Sequence, residues 1–320
     1  MQTTNTVLMV RPVNFSFNSQ TATNNAFQQE GFADQAQDKA LKEFDNYVQQ
    51  LEEAGVKVIV VEDTPIPHTP DSIFPNNWFS THTPEEAGEF LSEEECKNNT
   101  TAVVLYPMFA PNRREERGKN VLPKLSEHYN GCYKILDLSE YEKEGMFLEG
   151  TGSLILDRVN KIAYGCISPR TNEDVVEKWA DMLDYDYCLF DAVDADGTPI
   201  YHTNVMMWIG KEFAAVCLDA IEDIDERMNL IETLEECDKE IIEISLEQMG
   251  NFAGNMLELQ GKDKDGNPHP VIVMSKTAFE SLDNEQLHTL QNYATIVAPD
   301  LEYIEKNGGG SARCMVAEIF

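Results

Sequence analysis

The sequence predicts an α/β fold of five ββαβ units closed into a ring with pseudo-fivefold symmetry, and three observations lead there. Glu149 and His202 are separated by 53 positions, and His202 and Asn255 by the same number. Each of the three opens a stretch that reads strand, strand, helix, strand, and repeats of about 50 residues mark radial or stacked architectures. The two ends of the chain supply the halves of one further unit. The last strand can therefore pair with the first, closing the ring and removing exposed sheet edges. Around a common axis, equivalent positions face one centre. A carboxylate, an imidazole and an amide from distant parts of the chain would then meet, as an active site requires.

The unit split between the termini has its strands at Ser311–Ile319 and Thr6–Arg11, its helix within Asn25–Ala54 and its last strand at Val56–Val61. Gly55 stops that helix, because glycine takes the left-handed cap without penalty. The run VKVIVV that follows is short, β-branched and apolar, which suits a buried strand. The next unit places strands at Ile73–Thr81 and Thr101–Tyr106, a helix around Arg114–His128 and a strand at Tyr133–Leu138. The third has strands at Met146–Asp157 and Lys161–Ser168, a helix at Asn172–Asp184 and a strand at Tyr187–Asp191. The fourth runs through Thr198–Ile209, Glu212–Leu218, the helix Glu222–Cys237 and Glu240–Ser245. The fifth runs through Asn255–Gln260, Pro270–Met274, the helix Ser281–Asn292 and Thr295–Ala298. Length alone would allow two domains. The repeat argues instead for one domain over residues 1–320, closed by its own ends.

Composition narrows the function. The net charge of −33 works against nucleic acid and anionic lipid, since phosphate binding needs clustered Lys and Arg. No apolar run reaches the length of a membrane span, and the first residues lack the basic and apolar regions of a signal peptide. Seven Cys without a CxxC pair suit reduced thiols and a cytoplasmic location. The expected partner is a small amino-acid substrate, with no nucleic acid and no membrane. A homo-oligomer is compatible with the chain, which does not determine it.

Four segments carry chemistry. In Gly308-Gly309-Gly310-Ser311-Ala312-Arg313-Cys314-Met315, Cys314 stands at the mouth of the apolar strand MVAEIF. A buried structural thiol after a turn is the bland alternative, but Cys314 opens its unit as Glu149 and His202 open theirs. A thiol near an imidazole can ionise and act as a nucleophile. His202, beside an apolar strand, is placed for acid–base work. Glu149, in the apolar run Met146–Leu154, would be costly to bury without a partner, and His202 or a polar ligand would supply one. The loop Pro70–Phe79 packs Asp71, Asn76 and Asn77 among prolines just before a first strand, a natural position for substrate contact. The other six Cys read as structural. The remaining histidines make no metal-ligand spacing, so neither a metal nor an organic cofactor is expected. Asp194–Gly197 and Asp263–Asn267 lack the full calcium-loop pattern and read as hairpin turns.

Taken together, the GGG-x-x-RCM end, the His-x-Asn segment, FLEGTG and PDSIFPNNWFS resemble the guanidine-modifying superfamily. That group comprises arginine deiminases, dimethylarginine dimethylaminohydrolases and glycine amidinotransferases. The resemblance spans nearly the whole chain. It is closest to the citrulline-utilisation hydrolase type (CtlX), through PNNWFS, GNMLEL and GGGS-x-RCM-x-AEIF. The resemblance implies a five-bladed α/β propeller (pentein) and a cysteine mechanism without cofactor. It makes Cys314 the nucleophile, His202 the acid and base, and Glu149 the carboxylate that orients the planar nitrogen-rich group. Asp71, Phe74, Asn77, Asn204 and Asn255 are the expected substrate-binding residues. Arg11 and Arg170 compete for the substrate's α-carboxylate, while Arg313 should point away from Cys314 if that segment is extended.

Two departures from arginine deiminases bear on the substrate. Those enzymes carry Asp where this chain has Asn77, and again two residues after the His, where it has Asn204. Exchanging acids for amides discards charge-assisted bonds to a guanidinium, about 1.5–3 kcal/mol each, and supplies N–H donors that carboxylates lack. A neutral ureido group, as in citrulline, has a carbonyl that needs such donors. Thr151-Gly152 replaces the Gly-Asp of the deiminases as well. The expected reaction is therefore hydrolysis of citrulline to ornithine, ammonia and carbon dioxide. The alternatives are an amidinotransferase, an arginine or dimethylarginine hydrolase, and a non-catalytic ligand-binding propeller.

Overall fold

The structure, a computed structural model, describes residues 1–29, 36–88 and 90–320. Its strands are β1 (Thr6–Arg11), β2 (Lys57–Glu62), β3 (Phe79–His82), β4 (Thr101–Leu105), β5 (Tyr133–Asp137), β6 (Ile155–Asp157), β7 (Ile162–Cys166) and β8 (Asp186–Phe190). They continue with β9 (Met207–Ile209), β10 (Phe213–Val216), β11 (Glu240–Glu243), β12 (Leu257–Lys262), β13 (Pro268–Val273), β14 (Thr295–Val297) and β15 (Ala317–Glu318). Among the described residues they form five three-stranded sheets, ordered β15-β1-β2, β3-β4-β5, β6-β7-β8, β9-β10-β11 and β12-β13-β14. In each sheet the first two strands are antiparallel and the last two parallel. The parallel step needs a crossover, and a helix supplies it. This is an α/β fold built from a repeated ββαβ unit.

Local chemistry explains the crossovers. Asn172 caps the helix Glu173–Leu183 by accepting from the Val175 N–H, and Asp184 ends it in the left-handed conformation. The helix buries Val175, Val176, Trp179, Ala180 and Leu183, an apolar stripe at helical spacing. Trp179 is fully buried and donates to the Tyr106 hydroxyl at 2.9 Å, so its loss would cost about 3–5 kcal/mol. No helix among the described residues is long and apolar enough to cross a membrane.

Neighbouring units touch through their first strands. β3 lies beside β15, β6 beside β9, and β12 beside β9. The backbone N–H groups of Gln260 and Lys262 donate to the carbonyls of Thr4 and Ala54, both at 2.9 Å. Leu8 pairs with Ala317, so the last strand joins the first.

The first strands are shorter than the sequence suggests. The expected strands Met146–Asp157, Thr198–Ile209 and Ser311–Ile319 shrink to β6, β9 and β15. Before them lie a one-turn helix Gly150–Ser153, a 3-10 turn Thr203–Val205 and a turn over residues 312–315. Pro75–Asn77 forms the same kind of turn before β3. The cause is crowding where the units meet. Gly254 is one such point, since a Cβ there would sit 2.1 Å from the Val205 carbonyl oxygen. The expected helix within Asn25–Ala54 is helical over Ala36–Glu53. Residues 25–29 are not helical, and 30–35 lie outside the described residues. The expected helix Ser281–Asn292 is helical over Asn284–Tyr293, started by the Asp283 capping box, and a separate helix Lys276–Ser281 precedes it, ended where Leu282 is extended. Short helices at Leu246–Gly250 and Glu302–Gly308 escaped the sequence reading. The latter absorbs Gly308, while Gly309 takes the left-handed cap.

Candidate active site

The turns that precede the first strands carry the polar residues of the centre. Glu149 precedes the Gly150–Ser153 turn and His202 the Thr203–Val205 turn, and both side chains are buried. They meet at 2.8 Å between Glu149 Oε2 and His202 Nε2. The second Glu149 oxygen accepts the Phe109 N–H at 3.0 Å, and Arg170 reaches Oε2 at 3.3 Å. Burial alone would raise the Glu149 carboxyl. Arg170 and the His202 hydrogen bond outweigh it and hold the group down at about 2. Burial drives the His202 imidazole down to about 4 against the opposing pull of Glu149. At neutral pH the pair is therefore carboxylate and neutral imidazole. Because a carboxylate only accepts, the proton is assigned to Nε2, which leaves Nδ1 as a free base.

Gly152 shows where that base looks. A Cβ on Gly152 would lie 2.9 Å from His202 Nδ1 and 2.5 Å from Asn77 Nδ2, so both pack against this glycine and leave no room for a side chain there.

Asn77 is held by Arg113, a residue the sequence reading passed over. Arg113 is buried, makes a bidentate pair with Glu116 at 2.9 and 3.0 Å, and donates to the carbonyls of Asp71 and Phe74. Its Nη1 lies 2.5 Å from Asn77 Oδ1. A guanidinium only donates, so the Asn77 oxygen must face it and Nδ2 must face away. That Nδ2 is buried without a protein partner.

Cys314 lies in the turn over residues 312–315, not in a strand, and is 6 % exposed. Its Sγ accepts from Asn204 Nδ2 at 3.4 Å and Asn255 Nδ2 at 3.1 Å. Asn255 is otherwise committed. Its oxygen accepts the N–H groups of Arg313 and Cys314 at 3.1 and 3.3 Å, and its amide also donates to the Asn204 carbonyl at 3.1 Å. Asn255 thus has no hydrogen-bonding capacity left for a substrate, contrary to the sequence expectation. Asn204 differs, since its Oδ1 is buried and unpartnered. Phe74 packs against the run of glycines beside Cys314, its ring lying 2.9 Å from where a Gly310 Cβ would be.

Asp71 is buried, with one oxygen accepting from Asn18 and Thr21, each at 2.8 Å, and the other unpartnered. Burial raises its carboxyl against the pull of Arg113. Residues 18–28 thereby pack over the centre. Arg170 binds the Thr21 carbonyl and Asn24, and Asn25 and Gln28 donate to the carbonyls of Gly309 and Gly308. The amide- and hydroxyl-rich run Asn18–Asn25 was the available signal for this loop. Arg113 had none, since RREER reads as a solvated charge run.

Not every expected residue is brought in. Arg11 forms an ion pair with Asp45 at 2.8 Å and approaches Glu62 at 3.6 Å, and it is partly exposed. Arg313 is buried on Glu318 and the Val316 carbonyl. A cavity of about 450 Å³ lies among Phe27, Met249, Phe252 and Glu305, and none of Cys314, His202 or Glu149 lines it. The buried polar cluster, not cavity size, marks the candidate site.

The family described as N,N dimethylarginine dimethylhydrolase, eukaryotic, matches residues 11–320. No curated protein matches significantly. Among solved structures, apo ArgZ, an arginine dihydrolase from the ornithine-ammonia cycle in cyanobacteria, is 17% identical with a TM-score of 0.69. The match covers 98% of this chain and 40% of that one, so the chain spans less than half the length of ArgZ. The ArgZ N-terminal domain bound to product is covered to 97%, against 98% of this chain, at 17% identity and a TM-score of 0.71. DDAH from Pseudomonas aeruginosa, a cysteine-to-serine mutant complexed with citrulline, is 12% identical with a TM-score of 0.64, and both chains are covered fully. At these identities the likeness establishes the fold.

Proposed function

Because the chain belongs to the N,N dimethylarginine dimethylhydrolase family, among the guanidine-modifying enzymes, we propose that it is a cysteine-dependent hydrolase acting on a C–N bond of citrulline. The observation that carries the choice of substrate is the Asn77 amide, turned by Arg113 so that a buried N–H without a protein partner lies close to His202 and Gly152. That donor suits a carbonyl oxygen and opposes a guanidinium, which has only donors itself. Two acids of the centre are also balanced already, Glu149 by Arg170 and Glu116 by Arg113.

In this reading His202 takes the Cys314 proton and the thiolate attacks the ureido carbon, forming an S–C bond. Charge develops on the carbonyl oxygen, where the Asn77 N–H is a stabilising donor. One C–N bond breaks and ammonia leaves with the proton held by His202. Water, deprotonated by His202, then attacks the S-linked carbon. The S–C bond breaks with its electrons returning to sulfur, and the carbamate released loses carbon dioxide to leave ornithine. Arg11 does not reach the centre, and Arg170, which does, is already held by Glu149, Asn24 and the Thr21 carbonyl, so neither stands ready for the substrate's α-carboxylate. The five sheets would form one closed ring in a single domain, which the strand contacts and the β15–β1 pairing support.

A second reading is hydrolysis of arginine or a methylated arginine. The family match favours it, as does the unpartnered Asp71 oxygen, which can accept from a guanidinium. The test is amino-acid analysis after incubating native protein and Cys314→Ala with citrulline, arginine and dimethylarginine. Ornithine and ammonia from citrulline, absent in the variant, are expected. Citrulline formed from either arginine, with citrulline itself untouched, would replace the first reading by the second.

A further inference from the structure

Asn255 is the one amide in the centre whose orientation is fixed from every side. Its oxygen is held by two backbone N–H groups, and one of its two amide protons is held by the Asn204 carbonyl. The last amide proton has only the Cys314 sulfur, 3.1 Å away. Turning the amide over would set its donors against two backbone donors, so this N–H cannot be withdrawn. A thiol is a weak acceptor and a thiolate a strong one, and a donor fixed on an ionisable group favours its charged form.

We propose that Asn255 is a catalytic residue acting on sulfur rather than on substrate, its locked N–H stabilising negative charge on Cys314. The assignment rests on Cys314 being the nucleophile in the function proposed above. The N–H then acts twice. It supports the thiolate before attack, and it supports the sulfur again when water breaks the S–C bond and the electron pair returns. While carbon is bonded to sulfur the contact is weak, so Asn255 favours free enzyme over covalent intermediate. Asn204 also touches the sulfur, at the longer 3.4 Å and with an unpartnered oxygen. It is free to turn toward a ligand, and Asn255 is not.

The test compares native protein with Asn255→Asp and Asn255→Ala. The aspartate keeps an oxygen for the two backbone N–H groups and removes the donor. Two readouts apply, the rate at which iodoacetamide labels Cys314 (located by peptide mass mapping) and the thiolate absorbance near 240 nm lost in Cys314→Ser. Loss of a charge-assisted donor should slow labelling at neutral pH about tenfold or more and reduce the thiolate band in step. A merely structural role predicts the opposite sign, because loosening the turn exposes a buried sulfur and speeds labelling. Labelling and absorbance equal to native in either folded variant would overturn the proposal, as would faster labelling with an undiminished band. Neither readout uses substrate. Slowed labelling in a protein inert toward citrulline and both arginines would sustain Asn255 and remove the hydrolase. Full citrulline turnover with unaltered labelling would do the reverse.

Discussion

Replacing Asn77 by Asp tests the substrate argument most directly. The structure sets the magnitude. Asn77 Oδ1 lies 2.5 Å from Arg113 Nη1, so the new carboxylate keeps that contact and strengthens it. Its other oxygen replaces the buried, unpartnered N–H that lies close to His202 and Gly152. A bond from that N–H to an oxyanion contributes about 1.5–3 kcal/mol, so kcat/KM for citrulline should fall roughly 10- to 150-fold. The true loss includes repulsion between two oxygens, which makes this a lower bound. Stability should change little, because the carboxylate is not left unpaired beside Arg113. Arginine should gain, since a guanidinium can now donate to the new oxygen. The assay measures initial rates of ornithine, citrulline and ammonia release from both substrates, with thermal unfolding as the control. A folded Asn77→Asp protein that handles citrulline within a factor of two of native would refute the reasoning.

Cys314→Ala should abolish turnover while leaving substrate affinity measurable by calorimetry, and residual multiple turnover would exclude the covalent route. Glu149→Gln removes the buried partner of Arg170 and His202 and should lower unfolding stability by about 3–5 kcal/mol, read as a shifted urea midpoint; an unchanged midpoint would count against the ion pair. Burial holds His82 down at about 3 and His202 at about 4, against an ordinary 6.5. As pH falls through about 6.5 the unfolded chain binds protons that the folded chain refuses, so stability declines toward pH 4 by up to about 1.4 kcal/mol per unit for each group. Burial raises the Glu43 and Glu116 carboxyls to about 7, which opposes this loss between pH 7 and 5; the same change in urea midpoint between pH 7.5 and 5 in native protein and in His82→Gln would contradict that sign. Arg113→Lys cannot reproduce the fork that serves Glu116, Asn77 and two carbonyls at once. It should therefore reduce citrulline turnover at least tenfold, and steady-state kinetics indistinguishable from native would remove Arg113 from the account.

The repeat was legible because register is a property of the sequence itself. Identical spacing between Glu149, His202 and Asn255 implied equivalent places in successive units, and these residues do stand just ahead of β6, β9 and β12. The α/β class followed from the same pattern. Strand length did not, because apolar residues in a tight turn and in a strand give the same short run. Only contact between units, as where Gly254 meets Val205, coils the chain there.

Partner choice lay further out of reach. Nothing in GNMLEL distinguishes an amide that binds substrate from one locked onto a sulfur. That depends on Arg313, Cys314 and Asn204, which are brought together from up to 59 residues away. RREER could not reveal that its first arginine is buried against Asn77, nor could TVLMVR reveal that Arg11 faces Asp45 instead of the centre. The sequence by itself determined the repeat, its class of fold and the residue types of the centre, because periodicity and composition are local. Tertiary structure decided which groups were already satisfied, as with Arg170 and the Thr21 carbonyl, 149 residues apart. Hydrogen bonds and ion pairs are matched through space, and their donors and acceptors leave no mark on the chain's own pattern.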